Sequence, residues 1–389
     1  MLDTNPTQPL IYLDHAATTP LDPTVLDAML PYLSNITGNP SSLHRAGRTA
    51  QQALDRARDT IAQVLHCRPT EIIFTSGGSE ADNLALKGVA FARQRQGRHI
   101  ITSTIEHHAI LHTADYLESC GFAITRLPVD TQGLINPADL RAALRPDTVL
   151  VSLMYANNEI GTIQPIAELG QICREHGVPL HTDAVQAAGS LPLDVEQLQV
   201  DLLTLAAHKL YGPRGTGLLY VRRGTPLQPQ IHGGGQERQR RAGTESVAAL
   251  VGMATALQQA EERRAWYGEH CQTLRDHLID TVLNQIAGAS LNGHRSRRLP
   301  NNANLSFRDI EAESLLLLLD QHGICASSGS ACSSGAIEPS HVLLALGLPH
   351  EQAQSALRLS VGRHTTIEQV DYFLDVLPKL IAQLRSYSA

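Results

Sequence analysis

Lys209 is the residue of this chain best placed for covalent chemistry. It follows an apolar run, Leu202–Ala207, and precedes a Gly- and Pro-rich turn and a second apolar run, Leu218–Val221. Strand, polar pair, glycine-rich loop and strand put the amine at a strand's end, facing a cavity. One reading is a solvated lysine at a strand edge, the commoner fate of that residue type. The other is a desolvated amine that forms a Schiff base with a carbonyl compound. Three further features bear on the choice. Asp183 closes the apolar run VPLHTD, His107 follows HIITSTIE, and Asn158 follows VLVSLMYAN. The turn Ser76-Gly77-Gly78-Ser79 joins an apolar strand to a helix, so its backbone N–H groups and the helix dipole suit an anion such as a phosphate. Alone it is an ordinary turn with a serine cap, and it is neither a Walker loop nor a dinucleotide fingerprint. Pyridoxal phosphate needs a lysine for its aldehyde, a carboxylate for its ring nitrogen, an anion site and a flat partner for its ring. Lys209, Asp183, Gly78–Ser79 and His107 supply one each.

These residues need a frame that gathers strand ends. Strands are expected at 99–103, 123–127, 148–155 and 178–182, and helices at 109–119, 137–144 and 165–176. Such alternation predicts an α/β fold with a mostly parallel sheet and helices on both faces. Ligands of such sheets bind beyond the carboxyl ends of the strands, where all four polar positions fall. Upstream, Asp22 caps a helix with Pro23 in its first turn, running to about Leu33, and Ser41 or Ser42 caps a longer one to about His66. A long helical pattern runs from Val247 to about Ala287, and 224–244 is irregular.

The 389 residues leave room for two domains, and a composition of 42% hydrophobic and 18% charged residues is that of a globular protein. A net charge of −7 argues against nucleic acid or an anionic membrane as the main partner. No signal segment or spanning-length apolar run is visible, and six scattered cysteines without a CxxC pair fit a reduced, cytoplasmic chain. His108 and His112 have the i, i+4 spacing that zinc sites use, but no HExxH accompanies them and no third ligand is evident, so no metal is expected.

The stretches YLDHAATTP, GNPSSLHRAG, FTSGGSEADN, EHHAI, NNEIGTIQP, HTDAVQAAG, AHKLYGPRGTG, HGGGQERQRRAGT and SSGSACSSG, in this order, resemble the motifs of group I cysteine desulfurases, the nitrogen-fixation and iron–sulfur-cluster type. The resemblance implies a fold type I, aspartate aminotransferase-like homodimer with a mostly parallel seven-stranded sheet. It implies a large cofactor domain over 17–262 and a small domain from 1–16 and 263–389. By motif, Lys209 links to pyridoxal 5'-phosphate, Asp183 and Gln186 contact its ring nitrogen and phenolic oxygen, and His107 stacks on the ring. Asn158 lies near the ring oxygen and the substrate, while Gly78, Ser79 and His208 take the phosphate. Thr244 reaches the phosphate of the neighbouring subunit, and Arg358 pairs with the substrate carboxylate. Similar proteins carry Ser or Thr three residues before the lysine; this chain has Ala206. Cys332, in a Gly-, Ser- and Ala-rich loop able to swing, is the implied nucleophile: it takes sulfur from L-cysteine, leaving L-alanine and a persulfide for an acceptor such as an iron–sulfur scaffold protein. The alternatives are a selenocysteine lyase, another fold type I enzyme, or an inactive scaffold in a sulfur-transfer assembly.

Overall fold

The computed structural model describes residues 10–328 and 339–388. After a short strand β1 (Ile11–Tyr12), seven strands build the central sheet: β2 (Ile72–Thr75), β3 (His99–Ser103), β4 (Ala123–Leu127), β5 (Thr148–Ser152), β6 (Leu180–Asp183), β7 (Leu202–Ala206) and β8 (Gly217–Val221). Their order is β2-β8-β7-β6-β5-β3-β4. The pairs β4–β3, β3–β5, β5–β6 and β6–β7 are parallel, whereas β8 runs antiparallel to both neighbours. The reversal has a simple cause: the segment between Ala206 and Gly217 is too short for the helical crossover that a parallel neighbour needs. Every residue of β3, β5, β7 and β8 is buried, as expected of strands covered on both faces.

The sheet's apolar faces feed two clusters, one with Ile61, Leu153, Leu203 and Leu257 and one with Leu84, Ile100, Ile110 and Leu219. A third cluster joins Ile11 and Leu13 to Cys271, Leu278, Phe307 and Phe373 from the C-terminal third. It covers a second sheet of β9 (Ala289–Leu291), β10 (Asn302–Phe307) and β12 (Ala356–Ser360), while β11 (Ile324–Cys325) pairs in parallel with β1.

Two boundaries differ from the sequence expectation. The second helix is Arg45–Leu65 with His44 as its cap, its ring accepting the Gly47 N–H at 3.2 Å. The serines sit one turn earlier because the Asn39 side chain accepts the Ser41 N–H and the Asn39 carbonyl the Ser42 N–H, closing an Asx turn across them. The pattern from Val247 is two helices, Val247–Glu262 and Arg264–Gln285, broken at Arg263. The break follows packing, since Met253 and Leu257 belong to the sheet's cluster whereas Leu274 and Leu278 belong to the C-terminal one. The cap at Asp22 forms as expected, with its carboxylate accepting the Thr24 N–H at 2.7 Å.

Candidate active site

Five of the expected residues come together beyond the carboxyl ends of the parallel strands. Asp183 is the last residue of β6, beside Thr204 of β7, and Lys209 ends the single turn of 3-10 helix, Ala207–Lys209, that follows β7. The Lys209 amine donates to the Ala16 and Ala17 carbonyls at 2.6 and 2.8 Å, and Gln186 Nε2 donates to the same Ala16 carbonyl at 3.0 Å. Lys209 is therefore turned inward onto the chain's N-terminal segment. His208 Nδ1 lies 3.2 Å from the Thr18 hydroxyl of that segment.

His107 caps the helix His108–Ser119, its Nδ1 accepting the Ala109 N–H at 3.1 Å. In the neutral ring the proton therefore sits on Nε2. Burial, then the charge of Lys209, pushes the His107 pKa down to about 4, and His208 is lowered to about 4 for the same two reasons. Around neutral pH His107 is thus an uncharged ring. Asp183 is buried, its Oδ1 accepting the Val185 N–H at 2.9 Å. Desolvation pushes its pKa up to about 6, with Lys209 pulling the other way.

A polar layer lies in the core beneath Asp183. His181, two residues earlier on the same strand face, bonds Ser152 and Thr204 at 2.9 and 3.0 Å, and burial lowers its pKa to about 3. Glu106 accepts from Ser103 and the Met154 N–H, and burial raises it to about 8. Burial and then the charge of Asp183 hold Asp82 well above the usual carboxylate range. Burial thus favours the uncharged forms of His181, Glu106 and Asp82 around Asp183.

The helix Gly78–Arg93 begins without any side-chain cap, not with the serine cap of the plain-turn reading. A Cβ at Gly78 would lie 3.1 Å from Val185 Cγ2 and 3.6 Å from Ala206 Cβ, and one at Gly217 would meet the Gly77 carbonyl carbon at 2.6 Å. The turn is thus a bare backbone cradle pressed against the ends of β7 and β8. Ala206 points into it. Ala206→Ser is expected to tighten pyridoxal phosphate binding by about 0.5–1.5 kcal/mol, one added hydrogen bond. Cofactor titration of the apoprotein checks this, and an unchanged dissociation constant would count against the contact.

Arg358, buried on β12, donates to Asp14 at 2.9 Å and to the Asn158 carbonyl at 3.2 Å, and its Nε has no partner among the described residues. Asn158 and Arg358 therefore meet, and the buried Nε is left as an unused donor. Thr244 is exposed and lines a separate cavity of about 160 Å³ with Thr75, Ser76 and Thr216 of its own chain. Cys332 lies outside the described residues. His108 packs its ring 4.9 Å from His112 and 4.7 Å from His341, but among the described residues no group of three or more His, Cys, Asp or Glu could hold a metal ion. Sequence reasoning gave no role to the segment Asp14–Thr19, which touches Lys209, Gln186, His208 and Arg358. The available signal was its density of small and hydrogen-bonding residues in a stretch with no regular structure.

A family model for aminotransferase class-V matches residues 11–373. The chain belongs to that family. It is 52% identical over 378 residues to a cysteine desulfurase IscS from Dictyoglomus turgidum, covering 97% of this chain and 96% of that relative. Among solved structures, a NifS-like protein superposes with a TM-score of 0.91 at 38% identity, covering 96% of this chain and all of that one. SspA in complex with cysteine superposes at 0.80 with 37% identity, covering 92% of this chain and 100% of that one. The family depends on pyridoxal phosphate, and the residues present fit that group: an inward amine, a buried carboxylate, a neutral imidazole and an uncapped helix start share one site.

Proposed function

We propose that this chain takes the sulfur of L-cysteine, releases L-alanine and hands the sulfur on through Cys332 to an acceptor protein. The observation that carries the reading is the Lys209 amine and the Asp183 carboxylate at the ends of adjoining strands, in a chain about half identical to a cysteine desulfurase. Bound pyridoxal phosphate supplies an electron sink conjugated to the substrate's α-carbon. Lys209 would hold the cofactor by its aldehyde carbon and would carry the α-proton of the substrate. Asp183 keeps a proton on the ring nitrogen. His107 covers the ring as a neutral imidazole, while Gln186 and Asn158 orient the oxygen side. Gly78, Ser79 and His208 receive the phosphate, and Arg358 fixes the substrate carboxylate beside Asp14. The Cys332 thiolate attacks the substrate sulfur: a sulfur–sulfur bond forms, the carbon–sulfur bond breaks, and its electron pair stays with the carbon that becomes the alanine methyl group.

The other cysteines support that assignment. Burial pushes the thiols of Cys67, Cys173 and Cys271 up to about 12 and raises that of Cys325, so they stay protonated. Cys120 lies at the far end of the helix that His107 caps, roughly 20 Å away at helical rise. Leu26, Leu30, Leu33 and Leu43 are exposed near the N-terminus, an apolar surface suited to a second copy of the chain, whose Thr244 would then complete the phosphate site. The separate apolar clusters favour two domains divided at 262/263. Among the described residues no helix is long and apolar enough to cross a membrane.

Equal release of alanine and sulfide from cysteine in the presence of a thiol reductant tests the reading; alanine without sulfide, or neither, would overturn it. A pH dependence follows from Asp183. Below about pH 6 the apoprotein holds a proton on that carboxyl which must leave before a protonated ring nitrogen can sit against it. The cofactor dissociation constant is therefore expected to be level near pH 7 and to rise about tenfold per unit below pH 6. His107 and His208, lowered to about 4, do not titrate in that window. Titrations at pH 5 to 7 check this, and a flat profile would contradict it.

A further inference from the structure

Three consecutive non-glycine residues of the irregular stretch, Glu237, Arg238 and Gln239, have φ of 45°, 57° and 64°. L-residues avoid this left-handed region because Cβ crowds the following carbonyl oxygen, so a run of three persists only where contacts impose it. The contacts are specific. The buried Glu237 carboxylate accepts Arg58 Nη1 at 3.0 Å, Arg58 Nη2 at 2.9 Å and the Phe74 N–H at 3.1 Å. Arg58, also buried, donates to the Ile72 carbonyl at 2.7 Å and lies 4.6 Å above the Phe74 ring. Strand β2 is a sheet edge, so the Phe74 N–H that Glu237 takes lacks a ladder partner. Four residues on, Arg241 forks onto Glu80 at 2.8 and 3.2 Å, and Glu80 accepts the Ser76 N–H. The loop is thereby pinned to the strand before the phosphate cradle and to the helix after it. Thr244 follows directly.

We propose that Glu237 and Arg58 are positioning residues for the cofactor phosphate, their buried pair holding the left-handed turn that sets Thr244 toward the phosphate bound by the neighbouring subunit. This rests on the reading of Thr244 as a phosphate ligand. A planar two-pronged contact explains why the pair is Arg–Glu: a lysine would keep the charge but lose the fork that fixes the turn's orientation.

The test compares wild type, Thr244→Ala, Glu237→Gln, Arg58→Lys and the double variant Glu237→Gln/Thr244→Ala as full-length apoproteins. Each is titrated with pyridoxal phosphate and with pyridoxal, which lacks the phosphate. Each single variant is expected to bind pyridoxal phosphate about tenfold more weakly and pyridoxal unchanged, and the double variant no worse than the weaker single. A merely structural pair would weaken both ligands alike or neither, and either result overturns the inference, as would losses that multiply in the double variant. If Glu237→Gln does not fold, Arg58→Lys carries the same comparison. Should Thr244→Ala leave phosphate affinity intact, the ligand reading itself falls; should it weaken binding while Glu237→Gln and Arg58→Lys do not, only the positioning role falls.

Discussion

Lys209→Ala is expected to abolish sulfide release from cysteine, by at least about a thousandfold, and to remove the yellow absorbance of covalently held cofactor. Both effects have one origin. In the proposed reading the amine would link to the aldehyde and would also serve as the base beside the substrate's α-carbon. Its contacts with the Ala16 and Ala17 carbonyls hold it inward at the end of β7, where Asp183 and His107 both feel its charge. The alanine variant keeps the buried Asp183 and the bare Gly78 cradle, so it is expected still to bind the cofactor, weakly and without the link. An unchanged absorption band would show that another amine makes the link.

Cys332→Ser is expected to separate the two halves of the chemistry. The variant keeps the absorbance and the cofactor affinity of the wild type, because no cofactor contact is assigned to residue 332. It loses sulfide release in dithiothreitol by at least about a thousandfold, since a hydroxyl neither attacks sulfur at neutral pH nor carries a persulfide. Full activity in this variant would move the nucleophile elsewhere.

Much of this site is legible in the linear sequence because its parts are local. The Lys209 turn, the Asp183 strand end and the glycine cradle each announce themselves through an apolar run stopped by polar or glycine residues, and the structure sets the first two on neighbouring strands. The reversed direction of β8 follows from loop length, and that too can be counted in the chain. What could not be read depends on contacts distant in sequence. Asp14 meets Arg358 and Ala16 meets Lys209 across most of the polypeptide. The left-handed turn at Glu237–Gln239 contains no glycine to betray it, and Arg58, the edge of β2 and the Arg241–Glu80 fork hold it in place. The charge of His107 is equally hard to read from the chain, because burial and Lys209, not its residue type, set it.

Two groups, an amine and a thiol, must act on one substrate. The most direct measurement is to give the purified enzyme one equivalent of L-cysteine without reductant, trap persulfides by alkylation and locate them by peptide mass spectrometry. The peptide containing Cys332 is predicted to carry one added sulfur atom in the wild type and none in Lys209→Ala. Sulfur found on another cysteine, or on Cys332 in the protein lacking Lys209, would contradict the account.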